Sequence, residues 1–211
     1  MNKNTDFLML HANSSFAEQR VNHLYFQEHF TFIDMYELSH YDLEPYKCLV
    51  INGLVDQELL NKEQDLIRGF LDQGKMLMFF GHLFRPWLPG GSMFIPKTIR
   101  SHTDYKVTFH QPHPIFEGVT SDDLTFNKGV SGFFSRGHHP VPEHAEVLLT
   151  LAGVEPITYI DRSSTKGTIL VHSGADFFSY RDRKDTAGRV TSQLMQWTQD
   201  EYRSIQERNA G

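Results

Sequence analysis

His82 follows an uninterrupted apolar run, Met76-Leu77-Met78-Phe79-Phe80, with only Gly81 between them. An imidazole in such a place can act as a general base, a metal ligand or a hydrogen-bond donor to a bound ligand; the bland alternative is a polar residue that satisfies a turn. Two further stretches carry comparable chemistry. Arg136-Gly137-His138-His139 offers a guanidinium suited to a carboxylate or phosphate. Its adjacent histidines point apart in an extended chain, so one of them, not both, would face a pocket. His172-Ser173-Gly174-Ala175-Asp176 offers an imidazole and a carboxylate four residues apart, either an acid–base pair or a strand-end turn with a capping aspartate. Trp87, Phe133-Phe134 and Phe177-Phe178 are aromatic enough to wall a ligand pocket, or else they fill the core.

His82, one of His138 and His139, and His172 together would provide three nitrogen ligands, which with a water would suit zinc. The spacing has none of the strength of an HExxH or paired CxxC motif, so metal and cofactor stay unassigned. His102, His110 and His113 surround an edge strand and the turn at Pro112, and read as structural. The chain has no Gly-rich phosphate loop, no GxSxG elbow and no nucleotide fingerprint.

The elements that would position these residues follow from apolar patterning. Lys75–Phe80 is too short for a free-standing helix and suits a central parallel strand buried on both faces. Before it the pattern predicts a strand at Asp6–His11, a helix at Phe16–Phe30 capped by Asn13-Ser14-Ser15, and a strand at Thr31–Leu38. A strand at Cys48–Asn52 and a helix at Asp56–Asp72 closed by Gly74 come next. Strand and helix alternate, which argues for a doubly wound α/β sheet. Ligands in such sheets bind beyond the carboxyl ends of the strands, which is where His82 falls. Beyond Gly91 the pattern predicts an edge strand at Tyr105–Phe109, a glycine-closed turn at His113–Gly118 and a long loop at Lys128–Pro142. Strands at Ala145–Leu151, Ile157–Asp161 and Gly167–His172 follow, the last two as a hairpin, and Thr186–Glu207 is a closing helix. The hairpin leaves open whether His172 ends on the same rim as His82.

Composition bounds the function. The 211 residues are expected to form one domain with a single substantial core. A net charge of −6 disfavours a nucleic-acid partner, which usually needs a basic face. No stretch has membrane-spanning length, and the first ten residues contain no long apolar core of a signal peptide. The single cysteine, Cys48, fits a reducing cytoplasm.

Several pieces, in this order, resemble the class I glutamine amidotransferase-like superfamily and within it the trehalose-utilisation (ThuA-like) branch. They are Leu49-Val50-Ile51-Asn52-Gly53, Gly74-Lys75 with the strand ending in Gly81-His82, Trp87, and His113-Pro114-Ile115 before Gly118. Glu155-Pro156-Ile157, Lys166-Gly167-Thr168 and Val171-His172-Ser173-Gly174 complete the set, over roughly Asp6 to Tyr180. The resemblance implies a flavodoxin-like, mostly parallel sheet with helices on both faces. Catalytic members carry a cysteine nucleophile after the fourth strand, activated by a distant His–Glu pair. Here that position is His82, and the residue two beyond His172 is Gly174. Without a thiol there, thiolate attack on glutamine is unavailable.

Two readings stand. In the first, a small polar metabolite, a sugar if the ThuA-like resemblance holds, binds a cleft built from His82, Trp87, Arg136, His138 or His139, His172 and Asp176. His82 or His172 would then move a proton, with or without a metal. In the second, the scaffold is a non-enzymatic interaction or assembly module; a homo-oligomer is compatible with either.

Overall fold

The computed structural model describes residues 6–210. Its centre is an eight-stranded sheet: β1 (Phe7–His11), β2 (Phe30–Asp34), β3 (Cys48–Asn52), β4 (Met76–Phe80), β5 (Val107–Phe109), β6 (Glu146–Leu151), β7 (Glu155–Asp161) and β8 (Thr168–His172). Their order across the sheet is β2-β1-β3-β4-β8-β7-β6-β5. The five strands from β2 to β8 run parallel, in the 2-1-3-4-5 order of flavodoxin-like sheets. The remaining three pairings are antiparallel. β8 pairs with β4 in parallel, His172 opposite Phe80, so both strands end on one rim.

Alternation along the strands makes two apolar faces. Phe7, Met9, Val50, Met78 and Leu170 face α2 (Leu24–His29) and α6 (Val190–Ala210). Leu8, Leu10, Ile51, Phe79 and Val171 face α3 (Gln57–Lys62) and α4 (Gln64–Asp72), through Leu60, Ile67, Phe70 and Leu71. All five residues of β4 are buried, each contributing roughly 1.5–3 kcal/mol of transfer free energy. α6 buries Val190, Leu194, Trp197 and Ile205 on one stripe, with Glu201 among them. That charge is tolerable because both Glu201 oxygens accept from Arg162, at 2.8 and 2.9 Å, and one also from Thr168 Oγ1 at 2.7 Å.

Element boundaries depart from the periodicity where side chains capture backbone groups. The helix expected over Phe16–Phe30 is two: α1 (Ser15–Val21), capped by Ser14, and α2, capped by His23, whose Nδ1 accepts the Tyr25 N–H at 3.2 Å. The helix expected over Asp56–Asp72 also splits, at Glu63, into α3 and α4, here without a side-chain cap. The strand expected over Thr31–Leu38 stops at Asp34, which accepts the Tyr36 N–H at 2.9 Å and starts a 3-10 turn, Met35–His40. The short helix α5 (Ser121–Thr125) has no counterpart among the expected elements. The long loop also forms a two-residue ladder, Gly137–His138 against Ile95–Pro96. No helix among the described residues is long and apolar enough to cross a membrane.

Candidate functional site

β3, β4 and β8 end at small residues, and this opens the rim. Gly81 has φ +138°, and a Cβ there would lie 2.5 Å from Gly53 Cα, so the ends of β3 and β4 approach through glycine alone. Above this floor lies a cavity of about 440 Å³. Asn52 ends β3 with Gly53 and Leu54 after it, Gly81 and His82 follow β4, and Ser173 to Asp176 follow β8. Arg20 enters from α1, and Gly132 to Arg136 of the long loop close the far wall. That loop is fastened to the rim by a bridge between Ser135 and Gly174 and by a 2.8 Å hydrogen bond between the Ser135 and Ser173 hydroxyls. A Cβ on Gly174 would run into the Phe134 carbonyl oxygen, so glycine is required at this contact.

Phe133 and Phe134 line the cavity, and of the seven residues that the sequence put in the cleft itself three lie in its wall: His82, Arg136 and Asp176. His82 is half-buried, its ring stacked on Phe94 with centroids 3.7 Å apart and planes 13° apart. Its backbone carbonyl accepts from Gln57 Nε2 at 2.7 Å, while Gln57 Oε1 accepts the Phe84 N–H at 2.7 Å. One glutamine of α3 thus holds the turn, and the imidazole makes no hydrogen bond to another described residue. Burial holds its pKa below the usual histidine value. Arg136 donates through Nε to the Gly132 carbonyl at 3.0 Å and forms no ion pair among the described residues. Asp176 is engaged on both oxygens. Oδ1 accepts the Phe178 N–H at 3.1 Å, and Oδ2 pairs with Arg20 at 2.5 Å.

The other four lie elsewhere. His172 is fully buried and does not reach the cavity. Its Nε2 sits 3.2 Å from the Phe134 carbonyl and its Nδ1 2.8 Å from the Thr158 hydroxyl. Phe134 and Phe177 pack against the ring, each 4.6 Å away by centroid. A neutral imidazole that donates from Nε2 and accepts the Thr158 hydroxyl at Nδ1 fits two of its three neighbours; the third, the Ile157 carbonyl 3.1 Å from Nδ1, accepts instead from the Ser173 N–H at 2.8 Å. Desolvation lowers its pKa to about 3, which agrees with a neutral ring. Of the two readings of this stretch the acid–base pair does not form, since Asp176 is held by Arg20 and His172 by Phe134 and Thr158; the strand-end turn does, with Asp176 capping the 3-10 turn Phe177–Tyr180. His139 is also buried, and its Nε2 accepts the Leu83 N–H at 3.1 Å; burial lowers its pKa to about 4. His138 lies in the ladder with Ile95, outside the cavity wall. Trp87 belongs to the core on the α3–α4 face, edge-on to Phe79 at 5.2 Å, and presents no surface to the cavity.

The three-histidine arrangement for zinc is not assembled. Among the described residues no group of three His, Cys, Asp or Glu side chains is placed to hold a metal ion. Arg20, which sequence reasoning missed, enters the wall because α1 begins directly after β1. Its only signal was its position in the first helix after the first strand.

Cys48 is buried at the start of β3, and desolvation pushes its thiol pKa up. A thiol, not a thiolate, in the middle of a sheet is no nucleophile. Purified protein is expected to release no ammonia from glutamine, and the Cys48→Ala variant to behave identically. Glutamine hydrolysis that disappears in Cys48→Ala would overturn this.

No protein-family model and no curated protein sequence matches the chain. Among solved structures it is similar to a glutamine amidotransferase from Thermotoga maritima, at 14% identity, with 97% of each chain covered and a TM-score of 0.47.

Proposed function

We propose that the chain binds a small polar metabolite in the rim cavity, with His82 as the group that meets it, and that any chemistry there is proton transfer and not glutamine hydrolysis. The observation that carries this reading is the His82 imidazole. It is half-buried in the cavity wall, fixed by Phe94 and the Gln57-held turn, and without a hydrogen-bond partner among the described residues. A polar group oriented by its surroundings yet left unsatisfied is what a ligand would complete. A depressed pKa keeps the ring neutral near pH 7, where it can both accept and donate. The resemblance to the ThuA-like branch supports a sugar-related ligand.

The test is a panel of sugars, polyols, sugar acids and amino acids, assayed by thermal shift and calorimetry. Wild type is expected to bind one class, and His82→Ala to weaken that binding about tenfold, the worth of one hydrogen bond, with unchanged folding. Binding that is indifferent to His82→Ala would reject the assignment.

Leu54, Phe84 and Phe133 are exposed around the same mouth, which favours assembly as the second reading. A protein that binds nothing in the panel, and whose self-association is lost in Phe84→Ser, would put that reading first.

A further inference from the structure

From the unengaged side-chain groups of the cavity we infer that its ligand carries a carboxylate, bound by Arg136, so that the metabolite is a small organic acid and not a neutral sugar. This rests on the reading that the cavity is a ligand site.

The wall holds two arginines, Arg20 and Arg136, against one aspartate, in a chain whose net charge is −6. The aspartate's charge is already matched by Arg20, and each Asp176 oxygen already accepts one hydrogen bond, from Arg20 and from the Phe178 N–H, so it offers a ligand no free countercharge. The Ser135 and Ser173 hydroxyls are within 2.8 Å of each other and of the Gly137 carbonyl, so they too are engaged. Asn52 Oδ1 accepts the Leu54 N–H at 3.1 Å, leaving its amide N–H groups. What remains besides the His82 imidazole is a set of donors: the terminal N–H groups of Arg136, those Arg20 does not use on Asp176, and the Asn52 amide. Among the described residues, Arg136 is the cation of the wall without a counter-charge. Its Nε is tied to the Gly132 carbonyl at 3.0 Å, which sets the plane of the guanidinium while leaving its two terminal nitrogens free to take a carboxylate. A neutral polyol presents hydroxyls that must donate as well as accept, and this wall has few side-chain acceptors for them. A single unbalanced positive charge matches a monoanion better than a phosphate dianion.

The test compares isosteric pairs, D-gluconate with D-sorbitol and D-glucuronate with D-glucose, together with glucose 6-phosphate. Binding is measured by calorimetry in 50 and 300 mM salt for wild type, Arg136→Gln and Arg136→Lys. Each acid is expected to bind wild type at least about tenfold more tightly than its neutral partner, and more weakly at the higher salt. Arg136→Gln should abolish that preference, and Arg136→Lys should restore part of it. Because Arg136 is exposed, neither variant should alter folding. Equal affinity for acid and neutral partner, or a preference that survives Arg136→Gln, overturns the inference; if that equal binding still depends on His82, the cavity reading stands without it. Tighter binding of glucose 6-phosphate than of either acid also overturns the carboxylate assignment. Failure of every compound to bind removes both.

Discussion

Replacing His172 with alanine should destabilise the protein by about 3–5 kcal/mol, the range for emptying a large, fully buried ring site. The ring fills space between Phe134 and Phe177, with Phe80 beyond at 6.5 Å. Its loss would also strand the Phe134 carbonyl and the Thr158 hydroxyl, each a buried polar group with an unmade hydrogen bond. Phe134 lies in the wall loop, so the substitution also cuts one of the ties between that loop and the rim. Urea unfolding at pH 7 measures the effect. Ligand affinity of the folded fraction should change far less than in His82→Ala. A variant that loses less than about 1 kcal/mol of stability, a loss too small for emptying such a site, yet loses all binding would contradict the structural role and return His172 to the site.

Acid should destabilise the protein well above the pH at which carboxylates titrate. His172 and His139 are held neutral in the fold, at about 3 and about 4, against an unfolded value of about 6.5. Their folded pKa values are depressed, so below pH 6.5 the unfolded chain binds more protons than the folded one. The stability these residues allow is complete above the unfolded pKa and drains away as pH falls towards the folded values. At pH 5 each costs about 2 kcal/mol relative to pH 7, about 4 together, by linkage. The carboxylates whose pKa values are lowered, Asp34 and Asp123 among them, start from an ordinary value of 3.8 and add their share only below that window. Denaturant midpoints measured at pH 7, 6 and 5 should fall progressively. In an NMR titration two imidazoles should stay neutral to pH 5. A flat stability between pH 7 and 5 would mean that neither ring is buried as described.

Much of the scaffold could be read from the chain because its causes are local. The apolar run Met76–Phe80, the break at Gly74 and the turn at Gly81 specify a buried strand and its end without reference to any distant residue. β3 and the β7–β8 hairpin are of the same kind. At two places where local patterning failed, a polar side chain intervened: Asp34 ended β2 and His23 divided the first helix, by capturing N–H groups that periodicity counts as helical or extended. Glu201 interrupts the apolar stripe of α6, and nothing near it in sequence accounts for its burial, because its partner, Arg162, is 39 residues away.

The amino-acid sequence thus determined that this protein has a parallel-rich sheet with His82 past a central strand, and that no thiol stands at that position. It could not say which histidines meet solvent. Exposure at a strand end depends on what the rest of the chain lays over it, and residues far apart in sequence decide that. The Phe134 carbonyl reaches His172 from 38 residues away, and the Leu83 N–H reaches His139 from 56 residues away. Those contacts turn two imidazoles into buried ties. Arg20, brought to Asp176 across 156 residues, engages the carboxylate that sequence alone could have paired with His172. Only tertiary packing leaves His82 and Arg136 among the open polar groups of the rim, because only packing determines whose hydrogen bonds are already made.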